Sequence, residues 1–142
     1  MMISTRGRYA LRVMIDLAEQ QSGSYIPMKD VAARQEISLK YLEKILPVLT
    51  KARMIEGVHG KGGGYRLMRS PEAYRVGEIL RLTEGDLAPV SCLAPDAAVC
   101  GRAGFCKTLP MWQRFYEITN DYFDSITLAD LCQTDLSDQY VI

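Results

Sequence analysis

Residues 59–64 read HGKGGG, and this glycine-dense stretch lies between two short β-prone runs at 55–58 and 65–68. Such a segment cannot continue a helix, and its flanks make an antiparallel hairpin the natural reading. The tip is basic through Lys61, and its glycines let the backbone approach a phosphate or enter a narrow minor groove without side-chain clash. A nucleotide-binding P-loop is excluded, because no Lys-Ser/Thr pair follows the glycines and no helical period opens there.

Three helical stretches precede the hairpin. In residues 5–20 the row Leu11, Met14, Ile15, Ala18 has the i, i+3, i+4, i+7 spacing of one buried face, with Ser4 or Thr5 as cap and Ser22-Gly23 as stop. Arg6 and Arg8 fall in its first turn, where a cation opposes the helix dipole unless an anion such as a phosphate is near; a solvated surface is the alternative. After Ile26-Pro27, a short second helix presents Met28, Val31 and Ala32 on one face. Ser38 is an N-cap for a third, whose buried stripe is Leu42, Ile45, Leu46 and Leu49. Pro47 should kink it, since proline cannot donate to the carbonyl of Glu43.

A short helix, a turn and a second helix with Lys40, Tyr41, Glu43 and Lys44 exposed at its head form a helix-turn-helix. With the hairpin it becomes a winged helix: mainly α, with a small β-hairpin wing. Lys40, Lys44, Lys61 and Arg66 are candidate phosphate contacts on double-stranded DNA, and Arg6, Ser38, Tyr41, His59, Gly62, Gly63 and Tyr65 complete the candidate surface. Glu43 could accept from a cytosine amino group, or pair with Lys40 or Lys44 on the helix surface. His59, the one histidine, has no Cys or His partner at ligand spacing, which favours a surface or phosphate-contacting role over metal.

The formal net charge of zero hides a division. Residues 1–69 hold twelve basic and six acidic side chains, and the remainder five and eleven. The N-terminal half could therefore meet a polyanion, although two halves attracting each other would show the same asymmetry. No apolar run is long enough to span a bilayer and the N-terminus lacks a signal-peptide core, so a cytoplasmic location is expected.

Beyond the hairpin, Val76, Ile79 and Leu80 mark a fourth helix ending near Gly85. Residues 86–108 show no sustained period, and with Pro95, Gly101 and Gly104 they read as a loop. From residue 109 a long helix carries two apolar rows: Met111, Phe115, Ile118, Tyr122, and Trp112, Tyr116, Thr119, Phe123. Two rows exceed what packing on one small domain needs, so a homodimer interface is expected with the second row meeting its symmetry mate; a central core helix is the alternative. The expected organisation is a DNA-binding head at 1–85, a cysteine loop at 86–108, a dimerisation helix and following turn at 109–131, and a flexible tail at 132–142.

Three of the four cysteines, Cys92, Cys100 and Cys106, lie in that loop, separated by seven and then five residues. In a reducing compartment a metal or redox role outweighs a disulfide framework, whereas Cys132 fits a buried free thiol better. Within that metal or redox role, iron, structural zinc and a reversible loop disulfide are all open readings. A thiol enzyme is not supported: there is no Cys-x-x-Cys and no gathered acid, base and nucleophile.

STRGRYALRVMIDLA, SLKYLEKIL, VHGKGGGYRL, VGEILRLTEG and ITLADL, in that order along the chain, resemble the Rrf-type winged-helix transcription regulators, a family that includes the IscR, NsrR and CymR groups. The resemblance implies a homodimer reading two half-sites, with its reading helices in successive major grooves and its wings in adjacent minor grooves. It also implies a 2Fe-2S cluster on Cys92, Cys100 and Cys106, reporting iron–sulfur supply, nitric oxide or redox state. The alternative it carries is a cluster-free repressor of the CymR kind, sensing thiol oxidation or cysteine metabolism, the latter through a metabolic-enzyme partner. The fourth ligand departs from the pattern: the histidine position of the IscR type holds Leu109, and the acidic position of the NsrR type holds Arg8. Cys132, Asp96, a residue of the partner subunit or a small exogenous ligand remain as candidates.

Overall fold

Helix α1 (Thr5–Glu19) starts where the Ser4 side chain accepts the Gly7 N–H, and the computed structural model describes residues 2–136. Its buried face is Ala10, Val13, Met14 and Leu17; of the expected row only Met14 is fully buried, while Leu11, Ile15 and Ala18 are half-buried. The row moved because α1 is packed from several sides, by α2 (Met28–Gln35), α4 (Val76–Glu84) and α6 (Leu128–Cys132). At its N-terminal end the Ser4 N–H and hydroxyl both donate to Glu84 Oε1, at 2.9 and 2.7 Å. Gly7 lies beneath this staple, where a β-carbon would push the Glu84 carboxylate aside.

Helix α2 ends at Glu36 in a left-handed conformation, φ 54°. Ser38 then caps α3 (Leu39–Lys51) by accepting the Tyr41 N–H at 3.1 Å. The stripe Leu42, Ile45, Leu46, Leu49 is buried as expected. Pro47 does not end the helix, which runs as one span to Lys51 with the proline ring exposed.

Strands β1 (Ile55–Val58) and β2 (Gly64–Leu67) pair antiparallel, in register from Ile55 with Leu67 to Val58 with Gly64. Pairing ends one residue earlier than the sequence suggests, because the Met68 N–H is taken by the Tyr74 hydroxyl at 3.0 Å. A further rung joins Ile26 to Tyr65 through bonds of 2.8 and 2.9 Å, tying the wing to the segment before α2.

Helix α5 (Leu109–Ser125) is the long helix, and α6 follows it through a Thr127–Asp130 capping box. Leu128 and Ala129 are buried against the head, with backbone bonds from Val76 to Ile126 and from Leu128 to Tyr74. The turn after the long helix is therefore part of the head's core, and Cys132 closes α6, half-buried, rather than opening a tail. Residues 137–142 of the expected tail lie outside the described residues. A second cluster, Val76, Leu80 and Leu87, receives Tyr116 and Phe123 of α5. This reverses the expected roles of the two rows: the second leans on its own chain, while Met111, Phe115, Ile118 and Tyr122 face outward. Among the described residues no helix is long and apolar enough to cross a membrane.

Candidate nucleic-acid interface and cysteine cavity

The head of α3 is presented by polar and aromatic packing beneath it. Asp16, 2% exposed, accepts from Arg34 Nε and Nη2 at 3.0 and 2.7 Å and from Gln35 Nε2 at 2.9 Å. Arg12 bonds the Gln35 side chain and backbone carbonyl and lies over the Tyr9 ring, which meets Tyr41 edge-on at 5.3 Å. A charged network thus locks α1 to α2, and a ring contact locks α1 to α3. With those angles set, Ser38, Lys40, Glu43 and Lys44 are exposed at the start of α3, and Tyr41 is half-buried. Arg6 joins Tyr41 and Lys44 on the rim of one open depression, which also includes Ser4, Thr5 and Ile45. Two cations from separate helices, with an aromatic between them, suit a phosphate backbone.

At the wing, His59, Lys61 and Gly62 are exposed at the tip and Gly63 and Tyr65 are half-buried. Gly63 cannot carry a side chain, since a β-carbon would strike the Val58 carbonyl, and Gly60 and Gly62 adopt left-handed φ of 94° and 79°. Arg66 is placed differently from the other candidates. It pairs with Glu56 at 2.6 Å, bonds the Gly23 carbonyl at 3.2 Å and lies over the Tyr25 ring. Its guanidinium braces the wing, so contact with a phosphate would have to displace these partners.

Tyr74 is a support the sequence reading missed. Fully buried, it donates its hydroxyl to the Met54 carbonyl at 2.6 Å and accepts from the Met68 and Arg69 N–H groups at 3.0 and 3.1 Å. Arg69 covers its ring and pairs with Glu78 at 2.9 Å, which holds the Glu78 carboxyl below the usual carboxylate range. A lone tyrosine between Ser70-Pro71 and the start of α4 gives no periodic signal.

Cys92, Cys100 and Cys106 line one cavity of about 250 Å³, walled by Leu93, Ala97, Ala98, Val99, Ala103 and Leu109 with Gln113 at its edge. A short 3-10 turn, Ser91–Leu93, carries the first thiol, and the start of α5 positions the last. Among the described residues no three Cys, His, Asp or Glu side chains are gathered as a metal site, so the thiols share a cavity without closing on one point. The Cys106 thiol is held below the usual thiol range by its 3.4 Å contact with the Thr108 hydroxyl, helped by the N–H groups of Thr108 and Leu109 and by Arg102. Burial, with Glu19 and Glu72, pushes Cys132 up. Those neighbours place Cys132 by the C-terminal end of α1, whereas the loop departs from α4, whose end meets Ser4 at the opposite end of α1. Cys132 is accordingly no ligand candidate within its own chain, and Asp96, exposed, does not line the cavity.

Helix α5 has no fully buried residue. Trp112 and Thr119 are half-buried beside Tyr116 and Phe123, and Met111, Phe115, Ile118 and Tyr122 are 44–61% exposed.

A helix-turn-helix with a two-stranded wing, and basic and polar groups at the head of its second helix, defines a winged-helix DNA-binding protein. Residues 3–134 match the Rrf2 family, described as an iron-dependent transcriptional regulator, and the chain belongs to that family. It is similar to the protein rrf2 of Nitratidesulfovibrio vulgaris, 37% identical over 92% of this chain and 87% of the relative. The HTH-type transcriptional regulator IscR of Erwinia tasmaniensis is 32% identical over 92% of this chain and 78% of its own. Among solved structures, CymR (YrzC), the global cysteine regulator of B. subtilis, superposes with a TM-score of 0.77 at 34% identity, covering 95% of this chain and 99% of that one. The protein is a transcriptional regulator that binds DNA, and not an enzyme.

Proposed function

We propose that this regulator binds two DNA half-sites as a homodimer and that an iron–sulfur cluster on Cys92, Cys100 and Cys106 controls its affinity. The observation that carries this reading is the common cavity of the three thiols, at the one connection between α4 in the head and the free-faced helix α5. The donor set suits iron, which prefers thiolate, and the apolar walls would limit solvent. When bound, a 2Fe-2S group supplies a redox-active centre sensitive to iron supply, oxidants and nitric oxide. Drawing the three side chains to one centre restrains residues 92–106, and α5 is set against α4 by Arg81. The spacing of two reading heads then depends on the loop, and a coupling of about 1.4 kcal/mol already changes affinity tenfold. Lys40, Lys44, Arg6 and the wing tip at Lys61 hold phosphates, and Ser38, Tyr41 and Glu43 face the major groove.

Anaerobic reconstitution followed by iron and sulfide analysis tests the cluster. Wild type should take up both and colour, and Cys92→Ala should take up much less; equal contents in the two would overturn it. The second reading, a cluster-free thiol switch, is favoured by the similarity to CymR and by the depressed Cys106 thiol. It expects a colourless protein whose DNA affinity responds to dithiothreitol.

A further inference from the structure

We propose that the side-chain carbonyl oxygen of Gln113 is the fourth protein donor to the group held by Cys92, Cys100 and Cys106, an assignment that rests on the cluster reading above. Iron–sulfur clusters take four protein ligands, so three thiols leave one position to fill. Of the ten residues lining the cavity, three are these cysteines, six are aliphatic, and Gln113 alone brings another donor atom. It lies one helical turn beyond Leu109, so both side chains leave α5 on the same face. Leu109 cannot ligate, and Gln113 reaches the same space from the next turn. Its amide makes no side-chain hydrogen bond among the described residues, which leaves the carbonyl oxygen available. The competing groups in this chain are elsewhere: Arg8 bonds Thr5 at 3.1 Å, and Cys132 sits by the far end of α1.

An amide oxygen is a harder donor than thiolate and is held less firmly by iron. It is also neutral, so the complete site carries one negative charge fewer than four thiolates would, and charge is one of the quantities that set cluster potential. The iron bound by oxygen would be the labile and accessible one, which fits a sensor.

The test uses the full chain reconstituted anaerobically with ferrous iron and sulfide, as wild type, Gln113→Leu and Gln113→Cys. Gln113 is exposed on α5, and far-UV circular dichroism checks that each variant keeps its helices. Wild type should show two inequivalent iron sites by Mössbauer spectroscopy, and Gln113→Cys should make them nearly equivalent. Gln113→Leu should lose iron to a chelator about tenfold faster than wild type, the low end of what ligand-supporting groups contribute. If a cluster forms and both variants match wild type in spectrum and in chelation rate, the Gln113 assignment is wrong and the cluster reading stands. If wild type takes up neither iron nor sulfide, both fall.

Discussion

Arg81 on α4 meets Asp124 on α5 at 2.6 Å, and its second nitrogen bonds Asn120 at 3.0 Å. This pair bridges the DNA-reading head and the helix that carries the free apolar row, and Gly77 leaves the room it needs, since a β-carbon there would strike Asp124. Both partners are more than a third exposed, so the pair adds less than ~1 kcal/mol to stability. Its role is orientation. Arg81→Met should leave urea unfolding nearly unchanged while reducing the difference in operator affinity between reconstituted and cluster-free protein. An unaltered difference would show that α4 and α5 are held by Tyr116 and Phe123 alone.

Tyr74→Phe removes one hydroxyl and strands three backbone groups, the Met54 carbonyl and the Met68 and Arg69 N–H groups. The site is fully buried, so the expected loss is about 1–3 kcal/mol in chemical denaturation. Because these groups close the base of the wing, DNA affinity should also fall. A variant as stable as wild type would mean that water enters and replaces the hydroxyl.

Glu78 lies in the same place, and its carboxyl is depressed first by the hydrogen bond from Arg69, then by the charges of Arg69 and Arg81 and by the Arg75 backbone. A group with a folded-state pKa below its unfolded value, ~4.3, stabilises the fold fully above that value. The contribution is lost as pH falls through the lower, folded-state pKa. Glu78→Gln should therefore flatten the decline of stability below pH ~4 while costing less than ~1 kcal/mol at neutral pH, the pair being over a third exposed on the glutamate side. Thermal melts across that pH range on both proteins decide it; parallel curves would remove Glu78 from the acid response.

Lys61 and Glu43 separate affinity from specificity. Lys61 is exposed on the wing tip and Glu43 on the outer face of α3. Lys61→Ala should weaken binding to all sequences and lower the salt slope by about one. Glu43→Ala should change preference at one base position, typically by ~1–3 kcal/mol. Among the described residues no ion pair holds Glu43, which leaves its carboxylate free for a base edge. Binding measured across salt and across single-base operator variants distinguishes them, and identical profiles would undo the division.

Much of the head was legible because its signals are local. The Ser38 cap, the α3 stripe and the glycines of the hairpin each state their own conformation. What stayed hidden depends on residues distant in sequence. Tyr74 and the Ser4–Glu84 staple carry no period, and Arg66 looked like a phosphate contact until Glu56 and Tyr25 were placed beside it. For the cysteines, spacing alone could not say that all three reach one cavity, or that Gln113 joins them while Cys132 does not. On α5 both rows were visible, but which one the head covers was decided by Leu80 and Leu87.

The outward row of α5 makes the last prediction. Met111, Phe115, Ile118 and Tyr122 are 54, 44, 50 and 61% exposed, one contiguous apolar strip along about three turns. A monomer leaving this strip in water would carry a patch of the kind that marks an interface. A two-fold axis across the strip would let each copy cover the other's, and would set two reading heads at a fixed spacing for two half-sites. Ile118→Glu places a charge at the centre of that contact and touches nothing in the chain's own core, so the fold should survive. Sedimentation should show dimers for wild type and monomers for the variant at micromolar concentration. DNA binding should fall steeply on a two-half-site operator and little on a single half-site. A variant that still sediments as a dimer would move the interface off this strip, and the spacing of the heads would then need another source.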